Sequence, residues 1–270
     1  MKRFQLFEIE DQAWFPRRLR NYMTDFLRTI AEKFNLFEPV VPVLRDILAE
    51  TGKKHIVDLA SGGGGQWRTL LPQVQALMPD VRLTLTDLYP NTSAFEDLVE
   101  PSQGAVDYET RPISATSVPC ELNGLRTMFL SMHHFRPSEA QAILENAVVH
   151  QAPIAVFEAQ CRDFEHVIKF SMSPIFVLLL TPFIRPFSVL RLVFTYPIPI
   201  VPLVVGFDGV VSVLRTYSPE EMLQLAARAD PSQKFLWTAN TIKHRQQTIL
   251  FLTGVPNRST NSCHGPSILT

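Results

Sequence analysis

Charge is scarce in this chain. Only 19% of its 270 residues are Asp, Glu, Lys or Arg, and they cancel to a formal net charge of −1. So balanced a chain lacks the basic footprint that nucleic acid requires, and nucleic acid is excluded as an expected partner. Cysteine is scarce as well. Cys120, Cys161 and Cys263 are scattered, odd in number and without metal-ligand spacing. That excludes a disulfide scaffold, predicts no metal centre, and fits reduced thiols in a cytoplasm. Residues 1–30 carry charge throughout and hold no apolar signal-peptide core. No internal repeat is visible. The length suits one α/β domain with a sizeable core and one insertion.

Glycine is also sparse, with 11 residues, yet four of them stand together. The stretch Ile56-Val57-Asp58-Leu59-Ala60-Ser61-Gly62-Gly63-Gly64-Gly65 reads as a buried strand, an acid and a tight turn. Gln66-Trp67-Arg68-Thr69-Leu70-Leu71 follows with apolar residues at helical spacing. Glycine admits positive φ and lets backbone approach a ligand, while the N–H groups of a helix start hold anionic or polar groups. A plain flexible loop is the alternative. A second strand, Val81 to Asp87, ends in an acid placed as the ribose-binding acid of nucleotide-binding sheets is. A dinucleotide fingerprint would need no acid before its glycines, and here Asp58 precedes them.

The order Asp58-x-Ala60-x-Gly62-Gly63-Gly64 resembles motif I of the class I, Rossmann-like S-adenosylmethionine-dependent methyltransferases. Ala60 stands where that family has its first glycine. The resemblance covers roughly 50–165 and 206–255. It implies that Asp58, Ala60, Ser61, Gly62 and Gly64 position the methionine part of the cofactor. It implies further that Asp87 takes the ribose and that Leu88 packs on adenine. Ser114-Ala115 stands where the family has an acid-Ala pair, so Ser114 would meet the adenine edge, with Ala115 and Ser131 beside the cofactor. The cofactor implied is S-adenosyl-L-methionine, and the reaction is direct displacement at the sulfonium methyl.

The third strand and its exit are expected within Val106–Thr116. Leu125 to Phe129 reads as a fourth strand running into His133-His134. Ligands sit at the carboxyl ends of such strands, and neutral imidazole works as a base near neutral pH. His133 and His134 are therefore candidate general bases; structural packing and loop capping are the alternatives. A fifth strand ends at Glu158, which either orients substrate or meets a loop N–H. Ser218-Pro219-Glu220-Glu221 marks a helix start. Phe235–Thr241 and Gln247–Thr253 then form a closing hairpin through His244-Arg245-Gln246. Asp208-Gly209 reads as a turn and Arg215 as one half of an ion pair, with reach into the pocket as the alternative for Asp208 and Arg215.

At the other end, Leu19, Tyr22, Met23, Phe26, Leu27 and Ile30 make an amphipathic helix. Val40 to Leu48 reads as a second helix interrupted by Pro42. Both suit packing on the sheet edge, or a lid that includes Trp14, Phe15, Asn21 and Tyr22. From Val167 to Val205 only Lys169, Arg185 and Arg191 are ionised. The apolar run Ser173–Ile184 is short for a membrane span, and Pro197, Pro199 and Pro202 break the run that follows. Three readings stand: a lid over an apolar pocket, a membrane-surface or re-entrant anchor, or a subunit interface.

The expected architecture is α/β, with a doubly wound seven-stranded, mostly parallel sheet and an antiparallel last strand. Residues 1–50 form a helical cap, 51–165 and 206–256 the core, 166–205 a hydrophobic insertion and 257–270 a disordered tail. The expected activity is methyl transfer to a small apolar or lipid-like acceptor. The site is in the cytoplasm, peripheral to the inner membrane if 166–205 makes contact, with a homo-oligomer as a further expected partner. A non-catalytic membrane-associated scaffold and another nucleotide-cofactor enzyme are the alternatives.

Overall fold

A computed structural model describes residues 1–245 and 247–257. The expected tail lies outside them beyond Asn257, as does Cys263. Seven strands form one sheet in the order β3-β2-β1-β4-β5-β7-β6. They are β1 (His55–Asp58), β2 (Arg82–Leu85), β3 (Val106–Tyr108), β4 (Leu125–Phe129), β5 (Ile154–Glu158), β6 (Phe235–His244) and β7 (Gln247–Pro256). β7 runs antiparallel to both β5 and β6, and β1 to β5 pair in parallel. This is the expected topology. Its switch point lies between β1 and β4, where a doubly wound sheet opens its crevice.

The helices among the described residues are α1 (Arg17–Lys33), α2 (Val41–Thr51), α3 (Trp67–Leu77), α4 (Thr92–Val99) and α5 (Pro137–Val149), followed by α6 (Phe164–Ser171), α7 (Ser173–Leu180), α8 (Val189–Thr195), α9 (Ile200–Arg215) and α10 (Pro219–Ala229). Two apolar clusters fill the faces of the sheet. One joins α2, α3 and α4 to the strands through Leu44, Trp67, Phe95 and Phe129. The other joins α5 and α10 through Ile143, Leu144, Met222 and Leu225. The start of α10 is a capping box: Ser218 Oγ accepts the Glu221 N–H, and Glu221 Oε2 accepts the Ser218 N–H.

A third cluster lies apart from these. Phe15, Leu19, Tyr22, Met23 and Phe26 pack against Val177, Ile184, Val201, Val204 and Val205. The amphipathic face of α1 is thus covered by the hydrophobic insertion and not by the sheet edge. Phe15 and Tyr22 are buried there, while Trp14 is 69% exposed.

Three local expectations are corrected. Pro42 stands in the first turn of α2, where a missing N–H costs nothing, so it starts that helix and does not interrupt it. Asp208-Gly209 lies inside α9, because Asp208 has partners that replace a turn's own hydrogen bonds. β3, Val106–Tyr108, and the loop after it that carries Ser114 fall where the strand and its exit were expected. The run from Ser173 is not short. α6 and α7 continue one another, with Pro174 in a first turn, and Phe164–Phe183 is long and apolar enough to cross a membrane. The proline-rich run does break as expected, with a bend of 65° between α8 and α9.

Candidate active site

The glycine turn leaves β1 at the carboxyl edge of the sheet and is pinned on every side. Leu59 N–H bonds to Thr127 O at 2.8 Å, and Ser61 N–H to Thr86 O at 3.0 Å. Ser61 Oγ donates to Asp58 O and accepts the Thr86 N–H, so its hydroxyl braces the turn. Asp58 is fully buried. Its Oδ1 accepts from Thr127 Oγ1 at 2.7 Å and its Oδ2 from Gln66 Nε2 at 3.2 Å. Burial outweighs these bonds and pushes its carboxyl up to about 7. Asp58 therefore shapes the turn from beneath.

Ala60, Gly62 and Gly64 all have positive φ, of 50°, 57° and 63°. Gly62 faces open space, whereas an added Cβ on Gly63 or Gly65 would strike Thr24 or Arg28 of α1 at 2.9 and 2.3 Å. The helix expected as a lid thus lies directly on the turn. Arg28 also reaches Asp97 at 3.3 Å, and Arg68 reaches Glu32 at 3.1 Å, tying α1 to α4 and α3.

Asp87 is brought to this turn from the tip of β2. Its Oδ2 accepts the Gly62 N–H and its Oδ1 the Tyr89 N–H, both at 2.8 Å. Leu88 beside it is 46% exposed. Ile113 N–H bonds to Asp87 O at 2.8 Å, which sets Ser114 and the buried Ala115 next to the same tip. Ser114 Oγ pairs with Thr116 Oγ1 at 2.8 Å. Ser131, at the exit of β4, is buried with its hydroxyl unpartnered. An open Gly62, an exposed apolar Leu88 and an orphaned buried hydroxyl suit a ligand at this edge, and they fit the cofactor that the sequence motif implies.

The second half of the site follows β4. Glu158 is fully buried and holds His133, which is 3% exposed. A carboxylate only accepts, so the 2.8 Å contact from Oε2 to Nδ1 places a ring proton on Nδ1, and in the neutral form of such a ring the lone pair is on Nε2. That Nε2 faces Glu8 Oε1 at 4.0 Å. Glu158 both meets a loop N–H and orients an imidazole.

Glu8, Asp11 and Arg215 complete the constellation; the sequence offers Arg215 as a pocket or ion-pair residue and singles out neither acid. Glu8 is fully buried; its Oε1 lies 3.3 Å from Arg215 Nη1 and accepts from Ser212 Oγ at 3.1 Å. Arg215 donates to Asp11 Oδ2 at 3.0 Å, to His133 O at 3.1 Å and also to His134 O. His134 Nδ1 stands 3.0 Å from Asp11 and 3.4 Å from Glu8. Burial would lower the His134 pKa, but Glu8, Asp11 and Glu10 outweigh it and hold it at about 9. Burial likewise opposes ionisation of Asp11, yet His134 and Arg215 bring it down to about 2. The surrounding carboxylates thus favour the ionic form of the pair, with His134 as its cation.

Asp208 secures the same N-terminal segment from α9 by accepting the Ile9 and Glu10 N–H groups at 2.7 and 3.0 Å. A lone acid in an apolar helix was the available signal for it. An open cavity of about 200 Å³ beside the cluster is walled by Leu6 and Phe7 on one side and by Asp11, His134 and Arg215 on the other.

Among the described residues, two groups have metal-ligand atoms within 4.8 Å of one another: Glu8 with His133 and His134, and Cys161 with Asp163 and His166. In the first, Arg215 already supplies the charge opposite Glu8. In the second, burial raises the Cys161 thiol to about 11 and keeps it protonated.

Solved structures share this architecture. The O-methyltransferase family protein from Burkholderia thailandensis matches with a TM-score of 0.51 at 14% identity, over 89% of this chain and 61% of that one. An O-methyltransferase family 2 protein from Planctomyces limnophilus, in complex with apigenin, matches with 0.51 at 12%, over 89% and 62%. The pyocyanin biosynthetic protein PhzM matches with 0.50 at 14%, over 83% and 56%. The chain thus spans 56% to 62% of the length of these structures. No family model and no curated protein matches. The chain has the class I methyltransferase fold.

Proposed function

We propose that this chain is an S-adenosylmethionine-dependent methyltransferase acting on a small acceptor with an apolar body and one acidic proton. The observation that carries the reading is the juxtaposition, on adjacent strands, of the Asp87-braced glycine turn and the His133–Glu158 pair. Gly62 and Gly64 would give the cofactor backbone room, Asp87 would accept from the ribose hydroxyls, and Leu88 with Ser114 would meet the adenine. Bound there, the cofactor supplies an electrophilic methyl group.

The residues of the chain do the rest. Glu158 fixes the tautomer of His133, and Nε2 takes the acceptor's proton as the acceptor oxygen or nitrogen attacks. Glu8 stands in front of that nitrogen, so the segment carrying it must yield to the acceptor. Leu6 and Phe7 give the apolar body a wall, while the cationic His134 and Arg215 favour the developing anion. Alignment supplies most of the acceleration in such a displacement.

Calorimetric titration of the full chain with S-adenosylmethionine and S-adenosylhomocysteine tests the cofactor, repeated on Asp87→Asn. Saturable binding, weakened about ten- to a hundredfold in the variant by loss of a charged acceptor, is expected. A folded protein that binds neither compound sinks the reading and leaves a scaffold role.

A further inference from the structure

The hydrophobic insertion leaves an apolar face that none of the described residues covers. Phe164–Phe183 is membrane-grade in length and composition, yet only 17% of its most apolar stretch is buried. A core helix of a soluble protein would be mostly buried. Leu179 is 63% exposed, Phe183 70% and Leu203 65%, with Ile175, Phe176 and Phe207 exposed beside them on the same layer. Patches of this extent mark an interaction surface.

The charge pattern selects the occupant. From 166 to 207 the sequence has no Asp or Glu, while Lys169 and Arg185 are exposed within it and Arg17 and Arg18 are exposed at the start of α1. Within α6–α9 Glu165, in the first turn of α6, is the one exposed acid, and apolar side chains among cations in excess of it complement a leaflet that contains anionic lipid.

The packing selects the mode. Arg191, 2% exposed, donates Nη1 to Asp25 of α1 at 2.7 Å and Nη2 to the Ile184 and Pro186 carbonyls. The inner side of the layer shares one core with α1. A spanning hairpin would have to strip α1 from that core and leave a buried guanidinium unpaired. The layer lies flat.

We infer that the outer face of α6–α9 seats in one leaflet of an anionic lipid bilayer, and that this leaflet delivers the acceptor. α9 connects the two. Phe207 is half exposed on the outer face and its ring lies 6.0 Å from that of Phe7, which walls the cavity at His134. One to two helix turns further, Ser212 and Arg215 hold Glu8 and the histidine carbonyls. An acceptor leaving the leaflet past Phe207 and Phe7 arrives beside the polar cluster. The docking itself stands without the methyl-transfer reading; only the delivery clause rests on it.

Flotation tests it. The full chain, held in detergent, is diluted into preformed phosphatidylcholine vesicles with or without phosphatidylglycerol and spun through a density gradient. Expected is flotation with both, stronger with phosphatidylglycerol. Leu179→Glu combined with Phe183→Glu should float at least about tenfold less, the effect of one large apolar side chain left in water. Val149→Glu, at a position 74% exposed on α5, should float like the unaltered chain. Circular dichroism melts confirm that all three fold alike. Failure of the unaltered chain to float, or undiminished flotation of the double variant, overturns the inference. So does a dimer in light scattering that the double variant splits without any flotation, which would assign the face to a second copy. Cofactor titration reports on the methyl-transfer reading separately.

Discussion

Glu158 holds His133 twice: Oε1 accepts its backbone N–H at 3.1 Å and Oε2 its ring Nδ1–H at 2.8 Å. The two bonds fix both the position and the tautomer of one imidazole. His133→Ala should therefore lower kcat by about a hundredfold to ten-thousandfold, the usual contribution of a general base. Cofactor affinity should stay unchanged, because His133 is not among the turn's partners. Glu158→Gln should cost less, roughly ten- to a hundredfold, as the ring loses its orientation but stays present. Single-turnover kinetics beside calorimetric cofactor binding separates these. A His133→Ala enzyme with undiminished kcat would remove the base assignment.

Ala60 has φ of 50°, a conformation that costs an L-residue about 1–2 kcal/mol and glycine almost nothing. Part of that gain returns as unfolded-chain entropy. Ala60→Gly should stabilise the protein by roughly 0.5–1 kcal/mol and raise Tm by a few degrees. A lower Tm would show that the turn relies on the methyl group for packing.

The sheet was legible in the sequence because its signals are local. Ile56 to Asp58, Ser218 to Glu221 and the two closing strands each carry their period and their caps within a dozen residues. The glycine turn and Asp87 were legible because their spacing is set by the strand–turn–helix unit. Glu8 and Asp11 were not, since they reach the two histidines from more than a hundred residues away, and Arg215 was legible as a pocket or ion-pair residue but not with these partners. Asp208-Gly209 misled for the same reason: its turn chemistry is overruled by backbone N–H groups from the far N-terminus. Pro42 and Pro174 misled because first-turn proline and helix-breaking proline look alike in one dimension.

The two faces of the glycine turn predict opposite sensitivities. At Gly62 an added Cβ meets nothing, so Gly62→Ala should cost only the positive-φ strain of about 1–2 kcal/mol. At Gly65 it would lie 2.3 Å from Arg28 Cγ and 3.0 Å from Arg28 Cα, and the backbone of α1 cannot move without leaving its core. Gly65→Ala should be the more destabilising in denaturant melts and should raise amide exchange throughout α1. Equal effects would mean that α1 is not seated on the turn.

The latch between His134 and Asp11 predicts a pH dependence with a definite sign. His134 is raised from 6.5 to about 9, so its contribution is complete below about 6.5 and disappears as pH rises through 9. Asp11 is lowered to about 2, so its contribution is complete above about 4 and disappears only in strong acid. Glu10 and Asp208, raised by burial to about 7 and about 6, also cost stability as pH rises, but over a lower interval. Arg215 faces the same acids. Urea melts at about pH 6 and about pH 9.5 should thus show a loss in the unaltered chain, of which His134 accounts for up to about 3 kcal/mol. His134→Gln keeps a hydrogen-bonding side chain but no titration, so its loss should be smaller by that amount, while the step due to Glu10 and Asp208 remains. Identical pH profiles for the two proteins would mean that the N-terminal segment is held by Arg215 and Asp208 alone.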